Sequence, residues 1–447
     1  MNYVPHTREQ VEEMLERIGV ESVEALFGAV PPDYRFPLVE LPEAISEIEI
    51  KKELREAAES NSDLQHTSCF LGAGAYHHYV PSVVDHVLSR SEFYTAYTPY
   101  QPEVSQGTLQ SIFEYQTMIC DLTAMKVSNA SHYDGATAMA ESVIMARNVF
   151  RGRRTKVIVS PTIHPEYLAT VRTYVQGMDM DIVAPENPCA DLDTLIAQVD
   201  QDTACLIVQN PDFLGRIHDL NDVAEKVHAH DALFVVACDP ISLGLLKPPG
   251  EMDADIVLGE GQPLGNPLNY GGPYLGFFAC KEEFVRRMAG RLVGQTRDIE
   301  GRQGYVLTLA TREQHIRRER ATSNICTNQG LNALAAAVYM AALGKRGLTH
   351  VAELCYHKAH YAAKSIDDLE RYSVNCQMPF FKEFVVRCPL PVKEINGRLL
   401  QEYDILGGYD LGQVYPELQD HMLMCVTEMN SSRQIDDLVW ALQEIGR

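Results

Sequence analysis

The chain has 447 residues, of which 46% are hydrophobic, and its 61 acidic against 38 basic residues give a formal net charge of −23. This size and composition predict a globular protein with one large domain and a smaller one. The negative charge argues against nucleic acid or an anionic membrane surface as a partner, and no run of residues is apolar enough to span a membrane.

The cysteines and the N-terminal residues indicate in which cellular compartment the protein is expected. The chain has eleven cysteines, an odd number without a C-x-x-C pair, which argues against a disulfide framework and against a zinc site. The N-terminal sequence MNYVPHTREQ lacks the basic start and apolar core of a secretory signal. We therefore expect a cytoplasmic location and no bound metal.

Three parts are expected along the chain. Residues 1–60 are predicted to form a helical arm, which opens with a capping-box pattern at Thr7 ahead of apolar residues at helical spacing. Residues 61–345 are predicted to form the large domain, and residues 346–447 a small α/β domain that closes over it. Within the arm, the pair Pro31 and Pro32 is expected to break the first helix.

A tyrosine-rich segment, residues 93–107, reads FYTAYTPYQPEVSQG and is too broken for a helix or a central strand. Its prolines make it rigid and its side chains are rich in hydrogen-bonding groups, as is also true of FLGAGAYHHY at 70–79. Such loops suit a substrate pocket, although they could equally be structural connections. Ser105 is expected to cap the helix that follows. The candidate pocket residues are Tyr97, Thr98, Tyr100, Gln101, Glu103 and Ser105.

Apolar strand-like runs alternate with helical stretches through the predicted large domain, which indicates a mainly parallel sheet covered on both faces by helices. The chain is therefore predicted to have an α/β fold. One further strand, 383–387, is expected in the small domain. The runs predicted to form strands of the large domain are 156–160, 181–184, 204–209, 232–238, 254–258 and 274–280.

Asp239 follows the strand predicted at 232–238. Ligands in parallel sheets bind beyond the carboxyl ends of the strands, so this carboxylate is expected to point into a crevice. An acid at this place pairs with the pyridine nitrogen in enzymes that use pyridoxal phosphate. The alternative, that Asp239 with Pro240 only begins a turn, is about equally supported.

The turn after the next strand, at 259–265, reads GEGQPLG, where such an enzyme would carry the lysine that forms an imine with the cofactor. Gln262 and Pro263 stand at the expected position, and neither can form an imine. An enzyme with its own cofactor would have to use Lys247, which precedes two prolines, or Lys281, which follows the strand predicted after the imine turn. Both are poorly placed, so no catalytic residue is expected in this chain.

The expected phosphate-binding turn, 129–136, carries a single glycine and is followed by a helical run at 137–149. Asp134 stands where a phosphate would bind at the helix N-terminus, and a carboxylate there caps the helix but repels a phosphate. His132 and His164 are expected to flank the crevice as structural histidines. With Asp239 and Asp134 they form a vestigial cofactor site.

A basic cluster precedes a segment rich in hydroxyl groups, residues 321–327, which we call the hydroxyl tract. This basic cluster lies within TREQHIRRER at 311–320. It could be a solvated helix face, because Glu313 and Glu319 are interspersed with its arginines. Alternatively, the cluster and the hydroxyl groups meet an anionic group that another subunit presents. The arginines are Arg312, Arg317, Arg318 and Arg320.

Three stretches, YVPHTREQVEEMLERIGV, YTPYQPEVSQG and RRERATSNICT, resemble the P-protein family of the glycine cleavage system along almost the whole chain. The family implies a pyridoxal phosphate enzyme of fold type I with a small C-terminal domain. The sequence departs from the family's pattern at Gln262 and Pro263, a difference that separates the alpha from the beta subunit where the enzyme is split in two. The resemblance therefore implies an alpha subunit that lacks the lysine.

The resemblance also implies a division of labour. A beta subunit would hold the pyridoxal phosphate, decarboxylate glycine and transfer the aminomethyl group to the lipoyl arm of H-protein, within an α2β2 assembly. In this chain Tyr97, Thr98, Tyr100 and Gln101 would lie near the glycine. Thr322, Ser323 and Asn324 would approach the phosphate of the partner's cofactor. A regulatory or scaffold homologue without a role in catalysis is the alternative.

Overall fold

The computed structural model describes residues 5–38, 40–185, 187–188, 191–374 and 378–447. Residues 1–4 and 39 of the predicted arm lie outside the described residues. The chain forms two compact units, Met1–Ser62 and Asp63–Arg447. The predicted boundary between a large and a small domain near residue 345 lies inside the second unit and stays a prediction.

Helices and strands alternate along most of the chain. The α-helices are α1 (Arg8–Ile18), α2 (Glu47–Glu59), α3 (Ser82–Leu88), α4 (Ser91–Tyr94), α5 (Gln106–Thr123), α6 (Gly135–Val149), α7 (Pro165–Val175), α8 (Leu192–Ile196), α9 (Val223–His228), α10 (Gln314–Arg317), α11 (Gly330–Asp367), α12 (Val392–Tyr403) and α13 (Ser432–Gly446). The strands are β1 (Ser68–Cys69), β2 (Val127–Ser128), β3 (Lys156–Val159), β4 (Asp181–Val183), β5 (Thr203–Gln209), β6 (Leu233–Ala237), β7 (Ile256–Glu260), β8 (Gly276–Cys280), β9 (Leu292–Arg297), β10 (Gln303–Thr308), β11 (Ser373–Val374), β12 (Glu383–Arg387), β13 (Ile405–Leu406), β14 (Tyr409–Asp410) and β15 (His421–Cys425).

The first unit is built on α1 and α2. The predicted capping box of Thr7 is confirmed, because its side chain accepts from the Gln10 N–H while the Gln10 side chain accepts from the Thr7 N–H. The prediction that Pro31 and Pro32 break this helix is wrong: α1 ends at Ile18, where Gly19 adopts φ 87° and closes the last turn. None of the described residues of this unit is buried.

The second unit is organised around a seven-stranded sheet of order β2-β8-β7-β6-β5-β3-β4. Strands β3 to β7 are parallel to one another, and β8 is antiparallel to both of its neighbours. The central strands are buried on both faces, because every residue of β6 is buried and its side chains alternate between two apolar cores. The prediction of a mainly parallel sheet covered on both faces is confirmed.

A second sheet, of order β11-β12-β15-β14, is antiparallel. Its apolar face packs with α12 and α13 around buried residues such as Leu399 and Leu438. Helix α11 joins the two sheets, since Ala335 belongs to the core of the large sheet and Ile366 to that of the smaller sheet. Inside this helix Gly344 has φ 58° and ψ −176°, which interrupts the helical backbone.

Several strands were not predicted. They include the antiparallel hairpin of β9 and β10 and the short parallel pair of β1 and β13, as well as the partners of β12 in the second sheet. Ser105 immediately precedes α5 as expected, but the prediction of a side-chain cap is wrong, because its hydroxyl makes no capping hydrogen bond. Instead the helix is held by its buried face, which includes Leu109 and Ile119. Among the described residues, none of the helices combines the length and the apolar character needed to cross a bilayer.

Candidate functional site

A crevice lies beyond the carboxyl ends of β5, β6 and β7, where a parallel sheet places its ligands. We call it the central crevice, and its volume is about 30 Å³. A space of this size holds one or two water molecules, so it is far too small for an aromatic cofactor. Its lining residues include Tyr76, His164, Tyr167, Gln209, Asp239 and Glu260.

Asp239 lines the central crevice, as predicted. Its carboxylate already has an ion-pair partner within this chain. The Lys382 ammonium lies 2.7 Å from the Oδ2 atom of this carboxylate, so an acid that is expected to pair with a pyridine nitrogen has a cation of this chain as its partner. The Ile241 N–H donates to Oδ1 at 3.0 Å, so Asp239 also begins a turn. Asp239 therefore both faces the crevice and begins a turn.

Lys382 is fully enclosed, with 2% of its surface exposed. Its ammonium lies 3.5 Å from the centroid of the Tyr76 ring and 3.0 Å from His78 Nε2. Burial disfavours the charged form, but attraction to the Asp239 carboxylate outweighs it and raises the pKa of Lys382 above its ordinary value. A protonated, ion-paired amine is not a nucleophile, so Lys382 closes the crevice and offers no imine anchor.

The turn before α6, which is expected to be blocked against phosphate by Asp134, is closed by two carboxyl groups. Asp134 accepts from the Thr137 N–H at 2.7 Å and caps α6, as predicted. Glu260 accepts from the Gly135 N–H at 3.0 Å, so a side chain of this chain occupies the anion position at the helix N-terminus. A Cβ atom at Gly135 would lie 2.1 Å from the Tyr167 hydroxyl, so the space beside it is also filled.

Gln262, at the expected imine position, has a structural role. Its side-chain oxygen accepts from the Tyr76 N–H at 2.9 Å, and its amide nitrogen donates to the carbonyls of Tyr76 at 3.0 Å and Asn266 at 2.7 Å. The residue is 1% exposed, and the neighbouring Pro263 is also buried. The amide therefore joins this turn to the loop at 70–79.

Lys247 and Lys281 make contacts elsewhere. Lys247 donates to Asn221 at the surface. Lys281 pairs with Asp253 and Asp255 at 2.7 Å, and these acids precede β7, whereas the central crevice lies beyond its carboxyl end. With a paired Lys382, an occupied helix N-terminus and a volume of about 30 Å³, the crevice of this chain does not fit pyridoxal phosphate.

The two histidines of the predicted vestigial site lie in different environments. His164 lines the central crevice, stacks on Tyr167 with ring centroids 4.8 Å apart and contacts the Ala73 carbonyl at 2.9 Å. His132 is fully buried outside the crevice lining, against the edge of the Phe278 ring. Burial lowers the pKa of His132 to about 3, so its ring is neutral and acts in packing.

One buried cluster combines residue types that bind metals. His78 Nδ1 lies 2.7 Å from Glu428 Oε2, and the Cys355 thiol donates to the same oxygen at 3.4 Å. The Lys382 ammonium is adjacent to the other ring nitrogen of His78. These contacts form a hydrogen-bond network next to a positive charge, which is an unfavourable setting for a cation.

The tyrosine-rich segment faces solvent. Tyr97 is 85% exposed and Tyr100 is 48% exposed. Tyr97 and Thr98 line an open cavity of about 400 Å³ together with Thr327 and the residues that follow it up to Asn332. Gln101, Glu103 and Ser105 are not part of its lining. The structure thus brings the tyrosine-rich segment next to the end of the hydroxyl tract.

Within the hydroxyl tract, Ser323 turns inward. Its hydroxyl donates to Glu141 Oε1 at 2.6 Å and accepts from the Ile325 N–H at 3.0 Å. Burial raises the pKa of Glu141 to about 7, although the Ser323 hydrogen bond opposes this shift. Thr322 and Ser323 line cavities on both sides of the tract, and Asn324 lines one of them.

The basic cluster is not one helix face, because α10 spans only Gln314–Arg317. Arg312 is turned inward and donates to the carbonyls of Met288, Leu309 and Gly290, whereas Arg317, Arg318 and Arg320 are exposed.

Two residues that sequence patterns did not indicate complete the site: Glu260 and Lys382. Glu260 lies in the predicted GEGQPLG turn and could have been recognised as a second carboxylate near Asp134. Lys382 carried no such signal, because it precedes a strand far along the chain and only the fold brings it to Asp239.

Replacing Glu260 with glutamine is expected to change how stability depends on pH. Burial raises the pKa of Glu260 to about 8, against the hydrogen bonds from Gly135, Leu275 and Gln262. The folded state therefore binds the Glu260 proton more tightly than the unfolded state does. The stability that this proton contributes is fully present below about pH 4.5 and is lost as the pH rises toward about 8. The substitution Glu260→Gln removes this titrating group. The free energy of unfolding of the variant, measured in urea, should therefore fall less between pH 5 and pH 8 than that of the unaltered chain.

The exposed Glu59→Gln is the control for this experiment, since it removes a carboxylate without burial. The prediction would be contradicted if the free energy of unfolding depended on pH in the same way in Glu260→Gln and in the unaltered chain. Other buried carboxyl groups, such as Glu141 and Glu383, titrate in both proteins and cancel in the comparison.

Comparison with known proteins places this geometry in a family. The family model described as "Glycine cleavage system P-protein" matches residues 1–442. The chain is 55% identical over 447 residues to the "Probable glycine dehydrogenase (decarboxylating) subunit 1" of Thermomicrobium roseum, covering 99% of each chain. A relative of the same name from Desulforamulus reducens is 52% identical over 449 residues, with 100% of each chain covered.

Comparison with solved structures leads to the same family and to its fold. A crystal structure of glycine decarboxylase (P-protein) of the glycine cleavage system, in inhibitor-bound form, matches with a TM-score of 0.89 and 42% identity over 100% of both chains. A sphingosine-1-phosphate lyase from Burkholderia pseudomallei, only 17% identical with a TM-score of 0.66, shares the fold. The predicted fold type I architecture is thereby confirmed, and the family and fold support the involvement of pyridoxal phosphate. This chain belongs to the glycine cleavage system P-protein family.

Proposed function

We propose that this chain is the alpha subunit of a two-chain glycine dehydrogenase (decarboxylating), and that it contributes part of an active site whose cofactor is held by a beta subunit. One observation supports this most directly. The crevice that would hold the cofactor is closed from within by the Asp239–Lys382 ion pair and by Glu260, while the tyrosine-rich segment lies exposed beside the hydroxyl tract.

Pyridoxal phosphate supplies an electron sink for decarboxylation, and we assign it to the beta subunit because the central crevice of this chain does not fit it. The exposed phenol of Tyr97 and the hydroxyl of Thr98 line the open cavity, so they are suited to bind and orient glycine across the interface and to exclude water from the reacting centre. Tyr100 and Gln101, in the same segment, are assigned to the same surface.

The hydroxyl tract is assigned to the region of the partner's cofactor phosphate. Its charge environment suits that role, since Arg317, Arg318 and Arg320 are exposed directly before it and attract an anion. Thr322 and Asn324 are the better candidates for direct contact. The hydrogen of the Ser323 hydroxyl is already donated to Glu141, so Ser323 would act on Glu141 and the tract rather than as a donor to phosphate.

An obligate partner is further supported by the first unit. Large apolar side chains such as Tyr34, Leu38, Leu41 and Ile48 are 76 to 91% exposed there, and none of the described residues up to Ser62 is buried. Taken by itself, this unit has no buried core among its described residues, and apolar side chains left in water are typical of subunit interfaces. Permanent interfaces bury roughly 2,000–5,000 Å² and are more apolar than transient ones.

The assembly is proposed to be α2β2, to act in the cytoplasm and to transfer the aminomethyl group to the lipoyl arm of H-protein. The names of the relatives contain "subunit 1", which implies a second subunit in those proteins. A scaffold or regulatory homologue without a role in catalysis is not favoured, because such a protein has no use for an exposed loop of tyrosine, threonine and glutamine beside a cavity of about 400 Å³.

Reconstitution tests the proposal. The chain purified alone is expected to show no glycine–bicarbonate exchange above background, and the co-expressed pair with a beta subunit should raise the rate by at least about a hundredfold, because binding and orientation of the substrate are completed only at the interface. Size measurement of the chain alone and of the pair accompanies the assay. Exchange by the chain alone, or a beta subunit that is equally active without it, would overturn the proposal.

A further inference from the structure

Arg291 is a buried arginine, 5% exposed, whose backbone is tightly held. Its carbonyl accepts from the Ala130 N–H at 2.8 Å. The preceding Gly290 has φ 83°, and a Cβ atom there would lie 2.6 Å from Asn129 Nδ2, so only glycine allows this approach. The start of the Arg291 side chain is therefore fixed on the loop before α6.

The guanidinium group of Arg291 contacts two segments that are far apart in sequence. Its Nη2 atom donates to the Tyr100 hydroxyl at 3.1 Å and to the Cys326 carbonyl at 2.6 Å, and its Nη1 atom donates to Thr327 Oγ1 at 3.0 Å. The group also lies 5.4 Å from the centroid of the Tyr100 ring. One side chain thus connects the tyrosine-rich segment to the hydroxyl tract.

The chemistry of arginine suits this connection. The planar guanidinium group has several donors in a fixed geometry and can stack on an aromatic ring, whereas a lysine ammonium is a flexible point charge. Glu313 Oε2 lies 3.8 Å from Nε and offsets the buried charge. A lysine at this position could reach one of the two segments but would not hold both in one geometry.

We propose that Arg291 is a positioning residue, which sets the tyrosine-rich segment and the hydroxyl tract at a fixed distance so that they meet the partner's active site as one surface. This inference rests on the proposed function, in which both segments contribute to that site. Arg291 itself is enclosed and acts through Tyr100, Cys326 and Thr327.

The test is the substitution Arg291→Lys, measured in two ways. Hydrogen exchange of the isolated chain reports on the two segments directly. In Arg291→Lys the backbone amides of both 97–105 and 322–328 should exchange about tenfold faster, because each segment loses a contact that opposes local opening. Tyr100→Phe should accelerate exchange mainly in the first segment and Thr327→Val mainly in the second.

In the reconstituted pair, Arg291→Lys should raise the KM for glycine in the exchange assay by about tenfold, the factor that corresponds to one misplaced binding contact. The kcat value should fall by a smaller factor. A general loss of folding stability would not produce this division between the two constants.

Arg154→Lys is the matched control. Arg154 is also largely enclosed, stacks on a ring (Phe150, 4.4 Å) and donates to two carbonyls, those of Thr203 and His230, but it contacts neither segment. Its substitution should leave the exchange of both segments and the kinetics of the pair unchanged.

Unchanged hydrogen exchange in either segment of Arg291→Lys would overturn the positioning role, whatever the activity. Faster exchange in both segments with unchanged kinetics of the pair would instead overturn the assignment of these segments to the partner's site. The two failures are therefore distinguishable.

Discussion

Replacing Lys382 with methionine is expected to lower the free energy of unfolding of the chain by about 3–5 kcal/mol, the usual cost of leaving one partner of a buried ion pair without its counter-charge. Lys382 is 2% exposed and lies 2.7 Å from Asp239. Its loss would leave the Asp239 carboxylate in the closed crevice without a cation. The measurement is urea unfolding of the purified chain, followed by circular dichroism.

Two further variants separate this effect from a simple loss of packing. The double variant Asp239→Asn with Lys382→Met should recover part of the stability, because it removes the uncompensated charge as well. Lys226→Met breaks an exposed pair with Asp193, 3.0 Å apart, and should cost far less stability, because water screens the attraction between exposed charges. A single variant Lys382→Met as stable as Lys226→Met would show that the crevice is not closed by this ion pair.

The second large effect is expected at the surface offered to the partner. Replacing Tyr97 with phenylalanine and Gln101 with alanine together should lower kcat/KM for glycine in the reconstituted pair by about a hundredfold, since each lost hydrogen bond to a polar substrate is worth roughly a factor of ten. The isolated chain should keep its stability, because both side chains are exposed and the structure shows no intrachain hydrogen bond from either among the described residues.

Tyr94→Phe serves as the control for this prediction. Tyr94 belongs to the same tyrosine-rich segment and is 68% exposed, but it is not among the residues assigned to the glycine site and, unlike Tyr97, does not line the open cavity. Its hydroxyl should be dispensable for glycine–bicarbonate exchange. Full activity of the Tyr97 and Gln101 double variant, or an equal loss in Tyr94→Phe, would remove the assignment of Tyr97 and Gln101 to the glycine site.

Much of the fold followed from local patterns. The runs at 204–209 and 232–238 are continuous and apolar, and they form β5 and β6 within a residue or two of the predicted bounds. Such strands are buried on both faces, so their composition alone identifies them. The hairpin of β9 and β10 was missed because its residues are mostly exposed or half-buried and lack that apolar signal.

The first helix shows the limit of local signals. Its start at Thr7 was predicted correctly, because a capping box involves residues only three positions apart. Its end was placed at Pro31 and Pro32, whereas Gly19 ends the helix at Ile18. Glycine in the left-handed conformation is a common helix stop, and here it ends the helix well before the prolines are reached.

The sequence by itself determined the residue types at the predicted imine turn, where Gln262 and Pro263 stand, and the capping carboxylate of Asp134 at the start of α6. These are properties of short segments, in which residue type and spacing decide the chemistry. Only the tertiary structure decided which side chains fill the central crevice and connect the surface segments. The Lys382 ammonium on Asp239, the Glu260 carboxyl group at Gly135 and the Arg291 guanidinium between Tyr100 and Thr327 each join residues that become neighbours only when the chain folds. No local pattern encodes a contact of that kind.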